Sequence, residues 1–396
     1  MRIPHGWRTG KIADFGQVVT GSTPPTSDNT NFGGPIPFVT PGDLGGPGHV
    51  TCAERSLSSH GARRARVVPP MSTLVVCIGS TIGKVRLTGC EVATNQQINA
   101  IVPKDGNDPG FVFYETSRIA PSLRRLAGTQ AVPILSKGEF EDYPVSIPPA
   151  YEQRKIAHVL GTWDDALEKL NALNAAKERR KKALMQQLLS GNRRLVGVKG
   201  KWIYRTMGDL LREERREVVW DDSHTFDLLS VRRRSCGVFR RGSLDGDEIK
   251  TKVMRVARAG DFLISKMQVV HGAWALVRPE FDGGHVSGSY ICLVSSEPES
   301  FDIRFFDWLS RAPRLRHQVF LSCWGVVIEK MTFDLDDFLR RTILVPPTRA
   351  EQTAIADALD AAETEIRLLT KKRAALEAQK RGLMQQLLTG KVRVSP

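Results

Sequence analysis

The 396-residue sequence predicts an α+β fold in which two mixed globular domains are joined by two long helices, the product of a tandem duplication. Three observations carry this prediction. One forty-residue segment occurs twice, its apolar residues recur at a coiled-coil period, and the stretches between the copies are short β-rich runs separated by turn residues.

Residues 152–191, EQRKIAHVLGTWDDALEKLNALNAAKERRKKALMQQLLSG, align without gaps to 351–390, EQTAIADALDAAETEIRLLTKKRAALEAQKRGLMQQLLTG, at an offset of 199 with 17 of 40 positions identical. A proline pair precedes each copy (Pro148-Pro149, Pro346-Pro347) and a glycine ends it (Gly191, Gly390), the start and stop signals of a helix. Each copy is expected to form one helix of roughly 38 residues, about 57 Å long. Alternating steps of four and three pick out Ile156, Leu160, Trp163, Leu167, Leu170, Asn174, Lys177, Lys181, Leu184 and Leu188. The matching positions of the second copy are Ile355, Leu359, Ala362, Ile366, Leu369, Arg373, Leu376, Lys380, Leu383 and Leu387. Such a period, held this long, is a coiled-coil seam rather than the broader stripe of a helix lying on a core, so the two helices are expected to pack on each other. The polar positions Asn174, Lys177, Lys181, Arg373 and Lys380 either set the register or mark where the helices diverge.

The repeat divides the chain into a globular domain at 1–147, a long helix with a basic linker at 148–199, a second globular domain at 200–345, and a second long helix with its tail at 346–396. Both globular parts open on a tryptophan-containing strand-like segment (GWRTGKIADF, KWIYRTMGDLL) and close on an apolar stretch before Pro-Pro (YPVSIPP, RTILVPP), as copies of one ancestor would. Between those edges they diverge. STLVVCIGS, ATNQQINAIVP, DFLISKMQVV, GAWALV and SGSYICLVS read as short strands of a curved sheet, and 110–127 and 301–319 as helices. Alike helices carrying unlike domains suggest two different readers on one scaffold, and therefore an asymmetric target.

Composition narrows the class of partner. The chain is 41% hydrophobic and 25% charged, has no apolar run approaching the ~18 residues of a membrane span, and begins without the apolar core of a signal peptide. A cytoplasmic protein with no membrane partner is expected. Six cysteines without a CxxC pair suggest reduced thiols rather than a zinc site or a disulfide framework. A net charge of +14 favours polyanionic partners through counterion release.

Candidate contact residues follow from local chemistry. In Gly79-Ser80-Thr81-Ile82-Gly83-Lys84, the hydroxyls of Ser80 and Thr81 and the cation of Lys84 sit on a strand-to-strand turn suited to a phosphate. It is not a nucleotide-binding P-loop, because Val85 follows Lys84 where a Ser or Thr is required. Asn95, Gln96 and Gln97 carry amides that can pair with adenine or cap a turn, and Thr129 and Gln130 give a similar polar signal. Arg232, Arg233 and Arg234, with Arg240 and Arg241, bracket a Cys-Gly turn and read either as guanine readers and phosphate clamps or as a solvated charge run. Lys266, Gln268 and His271 in SKMQVVHG, with Ser289 and Tyr290 in VSGSY, occupy positions comparable to GSTIGK and TNQQ, with different chemistry. The basic cluster KERRKK at 177–182 faces DNA or solvates the coiled coil.

No catalytic constellation stands out, so no enzymatic activity, cofactor or metal is expected. The prolines follow Ile147 and Val345, whereas an adenine methyltransferase needs an Asn-Pro-Pro-aromatic segment. Asp227 with Glu248-Ile249-Lys250 only loosely imitates a nuclease metal site, and His158 and His271 are isolated.

The ordered series VTGSTPPT, IPFVTPGDL, GSTIGKV, ATNQQINAIVP, LSKGEFEDYPVSIPP, EQRKIAHVL and LMQQLLSG resembles the specificity subunit of type I restriction-modification enzymes over essentially the whole chain. The resemblance implies a non-catalytic, double-stranded DNA-binding subunit whose two target recognition domains each read one half of a split sequence. It implies also that the helices form an antiparallel coiled coil, acting as a ruler and as a docking surface for two adenine-methyltransferase subunits, which restriction subunits join. Two rival readings are the recognition part of a stand-alone restriction enzyme or methyltransferase, and a coiled-coil protein adaptor. The adaptor predicts no salt-dependent sequence preference on DNA.

Overall fold

The computed structural model describes residues 4–46, 48–128, 132–194, 200–328 and 331–394. In the first globular part the strands are β1 (Arg8–Lys11), β2 (Gly16–Thr20), β3 (Phe32–Val39), β4 (Arg55–Leu57), β5 (Val67–Val68), β6 (Thr73–Val76), β7 (Val85–Leu87), β8 (Val92–Thr94), β9 (Ile98–Pro103) and β10 (Pro144–Ile147). Helices α1 (Ser59–Arg63), α2 (Pro109–Leu126) and α3 (Lys137–Glu141) lie among them, and α4 (Ala150–Leu188) follows. In the second part the strands are β11 (Ile203–Thr206), β12 (Leu211–Glu213), β13 (Thr225–Val231), β14 (Val238–Asp245), β15 (Met254–Val256), β16 (Phe262–Ser265), β17 (Trp274–Leu276), β18 (His285–Ser287), β19 (Tyr290–Ser295), β20 (Cys323–Trp324), β21 (Thr332–Phe333) and β22 (Thr342–Val345). Its helices are α5 (Met207–Leu210), α6 (Ile303–Ser310), α7 (Pro313–Leu321) and α8 (Leu335–Arg340), and α9 (Arg349–Leu387) follows. No helix among the described residues is long and apolar enough to cross a membrane.

Strand order shows the duplication directly. The four-stranded sheets β2-β9-β6-β7 and β4-β3-β8-β5 of the first part recur in the second as β12-β19-β16-β17 and β14-β13-β18-β15, and the edge pair β1-β10 recurs as β11-β22. Each part therefore has two four-stranded sheets where one curved sheet was expected. The apolar runs explain the difference. In β6, Val75 faces the core built with α2 while Leu74 and Val76 face a second core against the other sheet. In β16, Phe262 and Ile264 face α6 and its neighbours, and Leu263 faces the second core. A strand buried on both faces needs no polar alternation. The helical stretch expected at 301–319 is two helices, α6 and α7, interrupted before Pro313, whose ring disfavours helical geometry in the preceding residue.

Compactness divides the chain into Met1–Asn174 with Leu369–Pro396, and Ala175–Leu368. Each unit thus holds one globular part and a piece of both long helices, a grouping that segmentation by sequence order misses because the helices run antiparallel. In the first unit Lys380 pairs with Asp164 at 2.5 Å, and Asn174 bonds Thr370 at 3.4 Å. In the second, Lys177 pairs with Glu365 at 2.5 Å and Lys181 lies 3.9 Å from Glu363. The polar seam positions therefore have partners on the other helix and hold the register rather than marking divergence. Every seam position is buried or half-buried. The apolar ends enter the globular cores: Ile156 and Leu160 with Leu387 and Leu388 in the first unit, Leu188 and Leu189 with Ile355 and Leu359 in the second.

The repeated Glu-Gln pair acquires its physical meaning here. In the first unit the fully buried Glu152 carboxylate accepts from Trp7 Nε1 at 2.9 Å and, bidentately, from Arg393 at 2.7 and 2.9 Å, while another Arg393 N–H reaches the His5 carbonyl. In the second unit Glu351, 1% exposed, accepts from Trp202 Nε1 at 3.2 Å and bidentately from Arg194, which also reaches the Gly200 carbonyl. The adjoining glutamines do a second job. Gln153 accepts from the Asp108 N–H and donates to the Pro148 carbonyl, and Gln352 does the same with Asp302 and Pro346. Since Asp108 and Asp302 are the N-caps of α2 and α6, each long helix fixes where its domain's helix starts. Gly191 and Gly390 take φ of +74° and +66°, and a β-carbon on Gly390 would strike Pro4 at 2.3 Å. These glycines turn the chain so that the arginine three residues on can reach back.

Replacing Arg194 with alanine leaves the Glu351 carboxylate buried and uncompensated, a loss of about 3–5 kcal/mol for a one-sided break of a buried pair. Urea unfolding should show a lower midpoint for Arg194→Ala. Adding Glu351→Gln should recover part of it, because the buried group is then neutral; no recovery would mean that packing, not charge, sets the loss.

Candidate nucleic-acid interface

In each domain three connections come together, and they hold most of the residues chosen from sequence. In the first domain these are β3–β4 (residues 40–54), β6–β7 (77–84) and β8–β9 (95–97). Lys84 Nζ donates to the Pro41 carbonyl at 3.3 Å, and the Asn95 N–H donates to the Val39 carbonyl at 3.2 Å, tying the three to each other. Ser80 is exposed and Thr81 half-buried on the β6–β7 turn. Asn95 and Gln97 bond each other: Asn95 Nδ2 donates to Gln97 Oε1 at 2.9 Å, and Asn95 Oδ1 accepts from the Gln97 N–H at 3.2 Å. Those amides cap a turn, while Gln96 is exposed and accepts from Thr23 at 2.8 Å. Thr129 and Gln130 lie outside the described residues.

In the second domain the equivalent connections are β13–β14 (232–237), β16–β17 (266–273) and β18–β19 (288–289). Arg233 Nε donates to Gln268 Oε1 at 2.9 Å, the Arg234 N–H to the His271 carbonyl at 2.8 Å, and the Lys266 N–H to the Ser289 carbonyl at 3.0 Å. The equivalence of strands thus places 266–273 opposite GSTIGK, and the turn at Ser289 opposite TNQQ. Arg234 and Ser235 have φ of +61° and +54°. Two successive non-glycine residues in the left-handed region cost about 1–2 kcal/mol each, which the surrounding bonds must hold in place.

Other chosen residues have internal partners. Arg240 pairs with Asp227 and donates to the Glu280 carbonyl at 2.6 Å, so Asp227 is half of an ion pair on the sheet. Arg232 stacks over Phe239 at 4.5 Å. The Tyr290 hydroxyl bonds Ser230 at 2.9 Å. Arg241 is exposed on β14. Within KERRKK, Lys177 and Lys181 belong to the seam, and the residues between and after them are exposed. Arg316 of α7, absent from the sequence-based choice, shares a cleft with Arg233, Arg234 and His271. Nothing in PRLRHQ announces it, because the cleft is made by elements distant in the chain. Among the described residues no group of three or more His, Cys, Asp or Glu is placed to hold a metal.

The chemistry these connections offer is hydrogen bonding and positive charge, with frames of the same topology presenting different loops. Residues 40–54 are rich in Gly and Pro and contain no arginine, whereas 232–237 read RRRSCG. The cysteines report on this arrangement. Burial pushes the thiols of Cys77 and Cys292 up to about 12 and that of Cys323 up to about 11, which leaves them unreactive. Cys52 and Cys236 are exposed, one in each of the equivalent β3–β4 and β13–β14 connections. Iodoacetamide at neutral pH should label these two first, and duplex DNA that occupies the loops should slow both while leaving the buried thiols as they were.

Residues 4–178 match the family described as the type I restriction modification DNA specificity domain. The chain is 30% identical over 183 residues to the type I restriction enzyme MjaIX specificity subunit of Methanocaldococcus jannaschii, covering 45% of this chain and 42% of that one. It is 33% identical over 125 residues to the type I restriction enzyme HindI specificity subunit of Haemophilus influenzae, covering 31% and 27%. These matches span less than half the length of either relative. The crystal structure of a type I restriction-modification S subunit from M. genitalium superposes with a TM-score of 0.64 at 13% identity, covering 98% of each chain.

Proposed function

We propose that this chain, whose residues 4–178 match the type I restriction modification DNA specificity domain family, is a subunit whose two domains each read one half of an asymmetric, bipartite double-stranded DNA target. The observation that carries this reading is the pairing of one strand order with two sets of loops. A duplicated frame that preserved one function would have no need of GSTIGK in one copy and KMQVVHGA in the other. Differing loops on equivalent connections are what reading two different half-sites requires. Helices α4 and α9 are the spacer, with 39 residues each, about 58 Å at 1.5 Å per residue. Their exposed faces are the surface on which two adenine-methyltransferase subunits dock, with restriction subunits joining that core in the cytoplasm. The chain supplies recognition, and the chemistry lies with its partners.

Ser80, Thr81, Lys84 and Gln96 in the first domain, and Arg233, Arg234, Lys266, Gln268 and His271 in the second, are the residues assigned to DNA. Asn95, Gln97, Arg232, Arg240 and Tyr290 support the loops from behind. Arg233→Glu should weaken DNA binding of the assembled complex at least tenfold, equivalent to about 1.4 kcal/mol, whereas Arg240→Gln should act through stability.

Mapping methylated adenines across the genome with and without this gene tests the reading. Loss of one split, asymmetric motif on deletion is expected. Unchanged methylation in a strain with active methyltransferase subunits would overturn it.

A further inference from the structure

We propose that the cleft between the β13–β14 connection, the β16–β17 connection and α7 is a phosphate site that grips one phosphodiester of bound DNA, an inference that rests on the DNA-recognition reading above. The cleft has a volume of about 300 Å³ and is lined by Arg233, Arg234, Val270, His271, Gly272 and Arg316. Three guanidinium groups and the His271 imidazole border it, and no carboxylate does. Its chemistry is that of a donor-rich, positively charged cleft and suits a small anion.

The arginines are there without counter-charges. Among the described residues none of the three makes an ion pair, while Arg212, Arg215, Arg216, Arg255 and Arg258 of the same domain all do. Like charges gathered without a neutralising partner repel one another, and an anion held between them removes that repulsion. Arg233 is aimed by its bond to Gln268, and the left-handed pair Arg234-Ser235 is fastened by N–H bonds to the carbonyls of His271 and Gly272 at 2.8 and 2.7 Å. His271 Nε2 is buried with no hydrogen-bond partner among the described residues, and a phosphate oxygen in the cleft supplies one. The corresponding connections of the first domain, residues 40–54 and 77–84, contain no arginine, and their lysine, Lys84, is bonded to Pro41. The site thus belongs to the second half-target alone and anchors that domain whatever bases it reads.

The test uses the full chain and a fluorescent duplex, measuring affinity against salt for wild type, Arg316→Gln and Arg314→Gln. Arg316 is exposed, so the substitution spares the core, and Arg314 on the same helix lines a different groove. Losing one phosphate contact lowers the slope of log K against log salt by about 0.9. That loss is expected in Arg316→Gln and not in Arg314→Gln; equal slopes throughout, or equal losses in both variants, overturn the DNA assignment. A second arm, without DNA, compares thermal unfolding in inorganic phosphate and in chloride at matched ionic strength. Phosphate-specific stabilisation of wild type but not of Arg316→Gln, with salt slopes unchanged, assigns the cleft to a free anion instead. If wild type binds no duplex, the DNA-recognition reading fails, and the phosphate arm alone decides the cleft: an Arg316-dependent effect keeps it as an anion site, and no effect removes it.

Discussion

A buried carboxylate at the start of each long helix is the constraint from which the rest of the structure follows. Glu152 and Glu351 are shut away from water, and each is neutralised by an arginine lying just past the C-terminus of the other long helix and accepts a hydrogen bond from a tryptophan at the start of its own domain. Three segments distant in sequence are thereby fixed to one point. The helices must run antiparallel for the arginines to arrive, which is why each compact unit is assembled from discontinuous stretches of chain. A neutral pair could pack as tightly. A charged, bidentate one penalises any register that leaves the carboxylate alone.

With the frame held this way, the loops at the sheet ends are free to change. The central strands β6 and β16 are buried on both faces, so their apolar pattern is retained, whereas the connections at the strand ends bear none of that burden. The first domain fills its β3–β4 connection with a long Gly- and Pro-rich loop tied to Lys84; the second uses a six-residue arginine turn bound to the neighbouring hairpin. Two surfaces of different chemistry result from one topology. That separation of frame from reader is the physical basis for assigning two half-sites to one chain.

Much of the frame was legible because it is periodic. The helices and their seam could be read from spacing and their ends from the Pro-Pro and Gly signals, and the polar seam residues left one question, whether positions such as Lys177 and Lys380 set the register or mark divergence, that needed the partners Glu365 and Asp164 to answer. The two-sheet arrangement was hidden because a short apolar run such as TLVV does not say which two layers cover it. The proposed reading surface was legible only in part. Local chemistry singled out Arg233, Arg234 and His271, which share one cleft, yet could not distinguish them from Arg240, which neutralises Asp227 across the sheet, or from Asn95 and Gln97, which bond each other. It also missed Arg316, whose place in that cleft depends on α7 meeting loops distant in the chain.

The central claim, that one frame carries interchangeable readers, is tested most directly by replacing residues 203–345 with a second copy of residues 8–147 and mapping the modified motif in a strain supplying the partner subunits. Both junctions fall on the shared edge strands, the first just after the tryptophan and the second just before the proline pair, and cooperative unfolding of the chimera establishes that it folds. The account predicts that methylation moves to a symmetric site built from two inverted copies of the first half-target. A folded, assembled chimera that still modified the original asymmetric motif would contradict it.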